Sequence, residues 1–186
     1  MKRAHLYRIY LLTMFSFIMF SCQKQVIVDK AVPIKNFDVN RYLGTWYEIA
    51  RFDFSFEKDL DNTTAHYTLN DNGDLKVLNS GFNTKSKQWK KADGTAKFRK
   101  DKTVGLLKVS FFGPFYSSYN IIALDPEYKY ALVVGKDYDY LWILSRETTI
   151  PEHVKKQYLE LATQIGYDIS KLLWIDHNRN DNPYLN

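Results

Sequence analysis

The feature that most constrains the fold is a series of eight short segments rich in β-branched and aromatic residues, each ended by turn-forming residues. The segments are 44–53, 63–70, 74–82, 87–98, 104–112, 118–124, 130–135 and 139–146. Asp71-Asn72-Gly73-Asp74 is typical of a tight hairpin, and Asp125-Pro126-Glu127 of a turn. Sequential strands with short links predict an all-β fold, an eight-stranded up-and-down antiparallel barrel. Closure of the barrel also removes strand edges along which a secreted protein would aggregate.

One later segment has the spacing of a helix instead. Thr149-Ile150-Pro151-Glu152 resembles a capping box with proline in the first turn. Apolar residues then recur on one helical face: Val154, Tyr158, Leu161 and Ile165. Gly166 is a suitable C-terminal stop. We therefore expect one C-terminal α-helix packed outside the barrel, followed by a short strand at 172–175.

The first 22 residues have the layout of a secretory leader. Three basic residues come first: Lys2, Arg3 and Arg8. The apolar run 9–20 is too short to cross a bilayer, which takes about 20 residues. A cysteine directly after a small residue resembles a lipoprotein signal, which implies that 1–21 is a signal peptide and that Cys22 becomes the acylated lipid anchor. An ordinary secretory leader with an incidental cysteine is the alternative.

The remainder of the chain divides into three parts. Residues 22–36 have no sustained period and are expected to be a tether, 37–176 the barrel domain, and 177–186 a flexible tail. Gln23 follows the cysteine, which by resemblance to lipoprotein sorting rules favours the outer membrane. We expect a lipid-anchored protein on the periplasmic side of that membrane.

Charge and cysteine content exclude several classes of protein. Three of the 26 basic side chains lie in the leader, which has no acidic residue, so 23 basic and 21 acidic side chains remain. The near balance, without a basic stripe, disfavours nucleic-acid binding. Because Cys22 is the only cysteine, no internal disulfide can form and the fold depends on its apolar core.

Three stretches resemble the lipocalin family. The stretch 40–51 (NRYLGTWYEIAR) is similar to the family signature around Gly-x-Trp, and 140–146 (YLWILSR) to its last barrel strand. The stretch 107–116 (LKVSFFGPFY) is similar to bacterial lipocalins in particular. The resemblance covers about residues 36–176. It implies that Trp46 closes one end of the barrel beneath Arg146, with Gly44 at the entry, and that these three residues are structural.

If Trp46 and Arg146 mark the closed end, the loops at the open end are unusually aromatic. These loops are 53–62, 83–87, 112–117 and 136–139. We interpret the aromatic residues as an apolar mouth for an acyl chain; mutual packing of the loops and a homodimer contact are the alternatives.

The alternation of side chains along the strands predicts an apolar lumen. Trp142 is four residues from Arg146 and faces the same way, with Leu144 between them. The expected ligand contacts are Phe54, Phe56, Leu107, Val109, Phe111, Tyr116, Trp142 and Leu144. Tyr116 would donate a hydroxyl to a head group, and Lys58 and Lys85 would either attract a phosphate or carboxylate or serve only as solubilising charges.

No catalytic constellation, cofactor motif or metal-ligand spacing is found, so we expect neither an enzyme nor a metal protein. Glu48 is expected to be a structural partner near Trp46 rather than a general base. The predicted function is storage or transport of lysophospholipids or fatty acids in the cell envelope. The alternatives are a lipocalin-fold enzyme acting on an apolar substrate and a structural envelope lipoprotein.

Overall fold

All eight barrel strands are present in the predicted order. The computed structural model describes residues 30–185, so the leader and Cys22 lie outside the described residues. A short helix, α1 (Val39–Tyr42), comes first. The strands are β1 (Gly44–Phe52), β2 (Leu60–Leu69), β3 (Leu75–Asn83), β4 (Gln88–Phe98), β5 (Leu106–Phe112), β6 (Phe115–Leu124), β7 (Tyr130–Val134) and β8 (Leu141–Ser145). Helix α2 (Glu152–Ile165), a 3₁₀ turn (Ile169–Lys171) and β9 (Leu172–Trp174) follow.

The strands close into a barrel. Each pairs antiparallel with the next from β2 to β8, and β1 pairs with both β2 and β8. β9 adds to β1 over Ala50–Phe52. The predicted eight-stranded up-and-down barrel with one helix outside is therefore confirmed.

The alternating side chains form two apolar clusters, one on each face of the wall. The inner cluster includes Trp46, Tyr67, Val77 and Leu144. The outer cluster joins Ile49, Leu132 and Ile143 of the wall to the buried face of α2. The inner face of the sheet therefore lines the lumen of the barrel, and part of its outer face is covered by α2.

Helix α2 differs from its prediction at both the cap and the buried face. Pro151 is the N-cap and no side chain caps the helix, so the expected capping box is wrong. Ala162, rather than Leu161, completes the buried face with Val154, Tyr158 and Ile165, and Leu161 is only partly buried against it. The third and fourth residues after Tyr158 both lie on its side of the helix, so the apolar spacing alone does not separate them. Gly166 ends the helix at φ 113°, as predicted. Among residues 30–185, no helix is both long and apolar enough to cross a membrane.

Both ends of the described chain lie on the barrel. The Ile34 N–H donates to Ile121 O at 2.9 Å, which seats part of the segment expected to be a tether. In the segment expected to be a flexible tail, the Asn182 side chain donates to Ser80 Oγ at 2.9 Å. The Arg179 guanidinium lies 4.1 Å from the centre of the Phe82 ring. The tail is held because it meets an apolar ring and buried hydroxyls on the outer wall.

Candidate functional site

The three residues expected to close the barrel lie together at one end. Trp46 is fully buried, and its indole N–H donates to Tyr42 O at 2.9 Å. The Arg146 guanidinium carbon lies 3.9 Å from the centre of the Trp46 ring, and its Nη1 donates to Thr45 O at 2.7 Å. Gly44 has φ 90°, and a Cβ there would lie 3.5 Å from Arg146 Nη1. Side chains therefore pack closely at this end of the barrel.

Above this closed end lies the main cavity, with a volume of about 280 Å³, between Tyr67 and Tyr119 at its floor and the loops at the other end. Most of the predicted ligand contacts line it: Phe54, Phe56, Val109, Phe111, Trp142 and Leu144. Its walls are largely apolar, which suits an acyl chain.

Leu107 and Tyr116 do not line the main cavity. Leu107 faces inward but is packed in the inner core below the cavity, opposite Tyr119. Tyr116 lies on the outer face of the wall, where Lys108 Nζ is 4.8 Å from the centre of its ring. The reason is that β6 begins at Phe115, three residues earlier than predicted, so alternation turns Ser117 inward and Tyr116 outward.

Aromatic side chains surround the mouth of the main cavity. Phe54 makes edge contacts with Tyr140 and Trp142, with ring centres 5.5 and 5.6 Å apart. Phe56 contacts Phe111 at 5.4 Å, so the segment between β1 and β2 reaches across to β5. At the β5–β6 hairpin, Phe115 is 79% exposed. The mouth is thus partly covered by its own aromatic rings and partly open to solvent.

Three tyrosine hydroxyls form a chain at the cavity floor. Tyr42 and Tyr119 hydroxyl oxygens are 2.7 Å apart, and the Tyr67 hydroxyl donates to Tyr119 Oη at 2.9 Å. Burial raises the pKa of all three phenols, so each is neutral and held by its neighbour. The sequence analysis did not predict these three hydrogen-bonded tyrosines, although the alternation of Ala65 and Tyr67 on one strand would have indicated that Tyr67 faces the lumen.

A buried acid–base cluster lies on one side of the main cavity. Arg51 Nε is 3.5 Å from Glu48 Oε2 and 3.2 Å from Glu57 Oε2. Arg51 Nη2 donates to Glu57 O at 2.7 Å and so fixes the loop after β1. Burial raises the pKa of both carboxyls, and the neighbouring Glu48 raises that of Glu57 further.

Local backbone geometry explains why the sequence analysis missed this cluster. A register shift between Glu48 and Ala50 interrupts the alternation of β1, so Glu48 and Arg51, three residues apart, approach the same carboxyl. Glu48 was expected beside Trp46 as a structural partner. It lines the main cavity, as does Glu57.

The cationic residues at the cavity differ from those expected. Lys85 pairs with Asp59, with Nζ and Oδ2 2.9 Å apart, and lines neither cavity. Lys58 is exposed and also lies away from both. Lys136 lines the main cavity instead.

A second space, the side cavity, has a volume of about 310 Å³ and lies between β3, β4 and the end of β5. It shares part of its lining with the main cavity: Phe56, Glu57, Asn79, Phe111 and Phe112. Lys90 and Ala92 line only the side cavity. Within residues 30–185, no group of three or more His, Cys, Asp or Glu side chains is placed to hold a metal ion.

Comparison with known sequences identifies relatives over most of the chain. The family described as "Lipocalin-like domain" matches residues 37–177. The chain is 50% identical over 160 residues to a protein of Citrobacter freundii named outer membrane lipoprotein Blc, covering 86% of this chain and 90% of the relative. It is 34% identical over 151 residues to apolipoprotein D of Mus musculus, covering 76% and 78% of the two chains.

Solved structures share the fold at low sequence identity. Insecticyanin from the tobacco hornworm Manduca sexta superposes with a TM-score of 0.64 at 21% identity, over 78% of this chain and 83% of the other. Lobster apocrustacyanin A1 gives a TM-score of 0.62 at 17% identity, over 82% and 93%. At these identities the likeness concerns the fold alone.

Proposed function

The chain belongs to the lipocalin family, and on that premise we propose that it binds a single-chain lipid, a fatty acid or a lysophospholipid, in the main cavity. The observation that carries the proposal is the cavity itself: a narrow, largely apolar lumen that is plugged by Trp46 at one end and open between aromatic loops at the other. Each methylene buried there contributes about 0.8 kcal/mol. A volume near the lower limit for ligand sites, about 300 Å³, favours one acyl chain over two.

We further propose that the protein works at the outer membrane, anchored through acylated Cys22 on the periplasmic side. The support is the leader sequence and the 50% identity to proteins named outer membrane lipoprotein Blc. A membrane-anchored binding protein would store or carry lipids that leave the bilayer. Globomycin, which blocks lipoprotein signal peptidase, should retain the unprocessed precursor; Cys22→Ser should abolish lipid labelling.

We propose binding rather than catalysis as the role of the cavity. The Glu48–Arg51–Glu57 cluster is the feature that would best suit an enzyme, but its carboxyls face Arg51 at 3.5 and 3.2 Å and fix a loop. A structural envelope lipoprotein would need no ligand at all. Incubation with bound lipid and analysis of products over time separates an enzyme from a carrier, and only the enzyme converts the lipid.

Native mass spectrometry of residues 23–186, titrated with lysophospholipids and fatty acids, tests the binding proposal directly. We expect a one-to-one adduct with the mass of a single-chain lipid that added ligand displaces. The same spectra report whether the protein is a monomer or a homodimer. Phe112 and Phe115 are exposed apolar residues that a homodimer contact would bury. An apo mass that no single-chain lipid shifts would overturn the proposal.

A further inference from the structure

The barrel wall has a break beside the main cavity. β4 pairs with β5 only over Thr95–Phe98, whereas its earlier part, 88–94, pairs with β3 and with no other described strand. An unpaired strand edge presents free N–H and C=O groups. Phe111 fills the lower part of the break, since a Cβ on Gly94 would lie 2.7 Å from its ring. The side cavity occupies the remainder.

The side cavity adjoins the main cavity and shares part of its lining, but it has a different set of polar groups. Phe56 and Phe111 lie between the two spaces and line both. The Oδ1 of Asn79, which also lines both, is buried and accepts no hydrogen bond from any described residue. A buried acceptor without a donor is costly, so a ligand hydroxyl that donates to it would be stabilised.

Strand register places the exposed side chain of Lys90 on the inner face of the strand at this break. Lys90 is opposite Gly81, and Ala92 is opposite Asn79 of the cavity lining. Lys90 and Ala92 share a face with Ala96, which is buried in the inner core. No described carboxylate forms an ion pair with Lys90, although Glu57 and Asp93 also line the side cavity.

The next residue, Lys91, has the opposite orientation. It is paired with Ser80, whose hydroxyl accepts from Asn182 of the chain end on the outer wall. Its Nζ lies 5.7 Å from the centre of the Tyr184 ring and 3.5 Å from Asp93 Oδ2. Lys90 and Lys91 therefore alternate in direction along one strand, and both contribute to the lining of the side cavity.

We propose that the side cavity is a head-group site for a lysophospholipid, in which Lys90 binds the phosphate and Asn79 accepts from the glycerol hydroxyl while the acyl chain lies in the main cavity. This inference rests on the proposed function, because it requires the main cavity to hold the chain. The free edge of β4 supplies further N–H donors to the phosphate oxygens. The head group thereby reaches solvent through the wall and leaves the barrel mouth to the aromatic loops.

The test compares two lipids with the same chain, 1-palmitoyl lysophosphatidic acid and 1-palmitoylglycerol, by calorimetric titration of residues 23–186 below the concentrations at which they form micelles. We expect Lys90→Glu to weaken binding of the phosphate-bearing lipid about tenfold, the loss of one charge-assisted contact, and that of palmitoylglycerol less than about twofold. Lys100→Glu makes the same charge change at an exposed lysine of the β4–β5 turn, which lines neither cavity, and should leave both affinities unchanged. Lys136→Glu tests the alternative that the phosphate lies at the mouth.

Each result decides between defined outcomes. If Lys90→Glu has no selective effect, if Lys100→Glu has an equal one, or if Lys136→Glu carries the selectivity instead, the head-group site is overturned while the lipid-binding function stands. If the wild-type protein binds neither lipid, both proposals fail. Glycerol 3-phosphate is the third probe: tight binding of it alone, dependent on Lys90, would mark a site for soluble phosphate esters and overturn the lipid assignment.

Discussion

At the scale of single residues, Arg146 combines a ring contact with three hydrogen bonds to the backbone. Besides stacking on Trp46, it donates to Thr45 O at 2.7 Å, Arg41 O at 2.9 Å and Tyr128 O at 3.2 Å. These contacts join α1, β1 and the loop before β7 at the closed end. Arg146 thus holds together segments that are far apart in the chain.

We predict that Arg146→Ala lowers the free energy of unfolding by about 2 to 4 kcal/mol, through loss of the cation–π contact and of carbonyl partners. Urea denaturation at neutral pH measures it. Arg99→Ala is the matched control, because Arg99 is exposed and makes a single side-chain hydrogen bond, to Ser118 Oγ at 3.3 Å. An equal loss in the two variants would show that the closed-end contacts add nothing specific.

Trp142 is the residue whose loss should most reduce lipid affinity without altering the closed end. Its ring lines the main cavity and packs against Phe54 and Tyr140. We predict that Trp142→Ala weakens palmitate binding at least about tenfold, since a buried indole provides a large apolar contact. Trp174→Ala, on an exposed tryptophan of β9, is the control. Equal affinities of both variants for palmitate would place the acyl chain elsewhere.

Glu57 gives the stability a predictable dependence on pH. Because its folded pKa is raised above the unfolded value of 4.5, the folded state holds a proton that the unfolded state has lost. The contribution of Glu57 to the free energy of unfolding is therefore fully present below pH 4.5, is lost as pH rises through the folded pKa, and is constant above that pKa. We predict that Glu57→Gln does not show this loss, so its free energy of unfolding increases relative to that of the wild type as pH rises through this range. Urea titrations from pH 4 to pH 8 measure the difference, and a difference that shrinks with rising pH would contradict it.

The direction in which a side chain points could be predicted from the sequence where strand alternation alone decides it. Val109, Trp142 and Leu144 lie where their strands keep a regular alternation, and they reach the cavity. Phe111 also reaches it, from the register shift of β5 between Val109 and Phe112. The orientation of Arg51 depends on the register shift in β1, and that of Tyr116 on the early start of β6. The pattern of apolar residues in the sequence predicts neither feature. The acid–base cluster depends on a loop that Arg51 holds through backbone carbonyls, which is a tertiary effect.

At the scale of elements, helix α2 depends on its C-terminal stop more than on its start. Gly166 has φ 113°, and its N–H donates to Ala162 O at 3.1 Å. A Cβ there would also lie 3.1 Å from the Tyr138 hydroxyl. By contrast, the Pro151 start has no side-chain cap to lose. The sequence predicted the stop correctly because glycine is the residue that tolerates this conformation.

We predict that Gly166→Ala lowers the melting temperature by several degrees, through about 1 to 2 kcal/mol of backbone strain and crowding. Thermal unfolding followed by circular dichroism measures the shift. Gln164→Ala, at an exposed position of the last turn, should leave the melting temperature unchanged or raise it slightly. Similar losses at both positions would mean that the end of α2 is generally intolerant of alanine.

At the scale of the whole molecule, the barrel is stabilised on its outer wall by the chain end as well as by α2. The His177 ring lies 2.9 Å from Glu48 O, and the Asn62 N–H donates to Asp176 O at 2.9 Å, so this segment continues the edge that β9 adds to β1. Sequence reasoning could not place it, because HNRNDNPYLN has no apolar period. Its contacts with the barrel combine hydrogen bonds with ring contacts, and all of them join residues far apart in the chain.

Deletion of residues 178–186 should therefore lower the free energy of unfolding by about 1 to 3 kcal/mol, since it uncovers Phe82 and leaves Ser80 without Asn182. Palmitate affinity should remain within about twofold of wild type, because this segment lies on the outer wall and does not line the main cavity. Urea denaturation and calorimetric titration of the same preparation measure both. Asn182→Ala isolates the contact to Ser80 and should account for part of the loss. Unchanged stability after deletion would mean that the chain end rests on the barrel without supporting it, whereas lost affinity would show that the outer wall and the lumen are coupled.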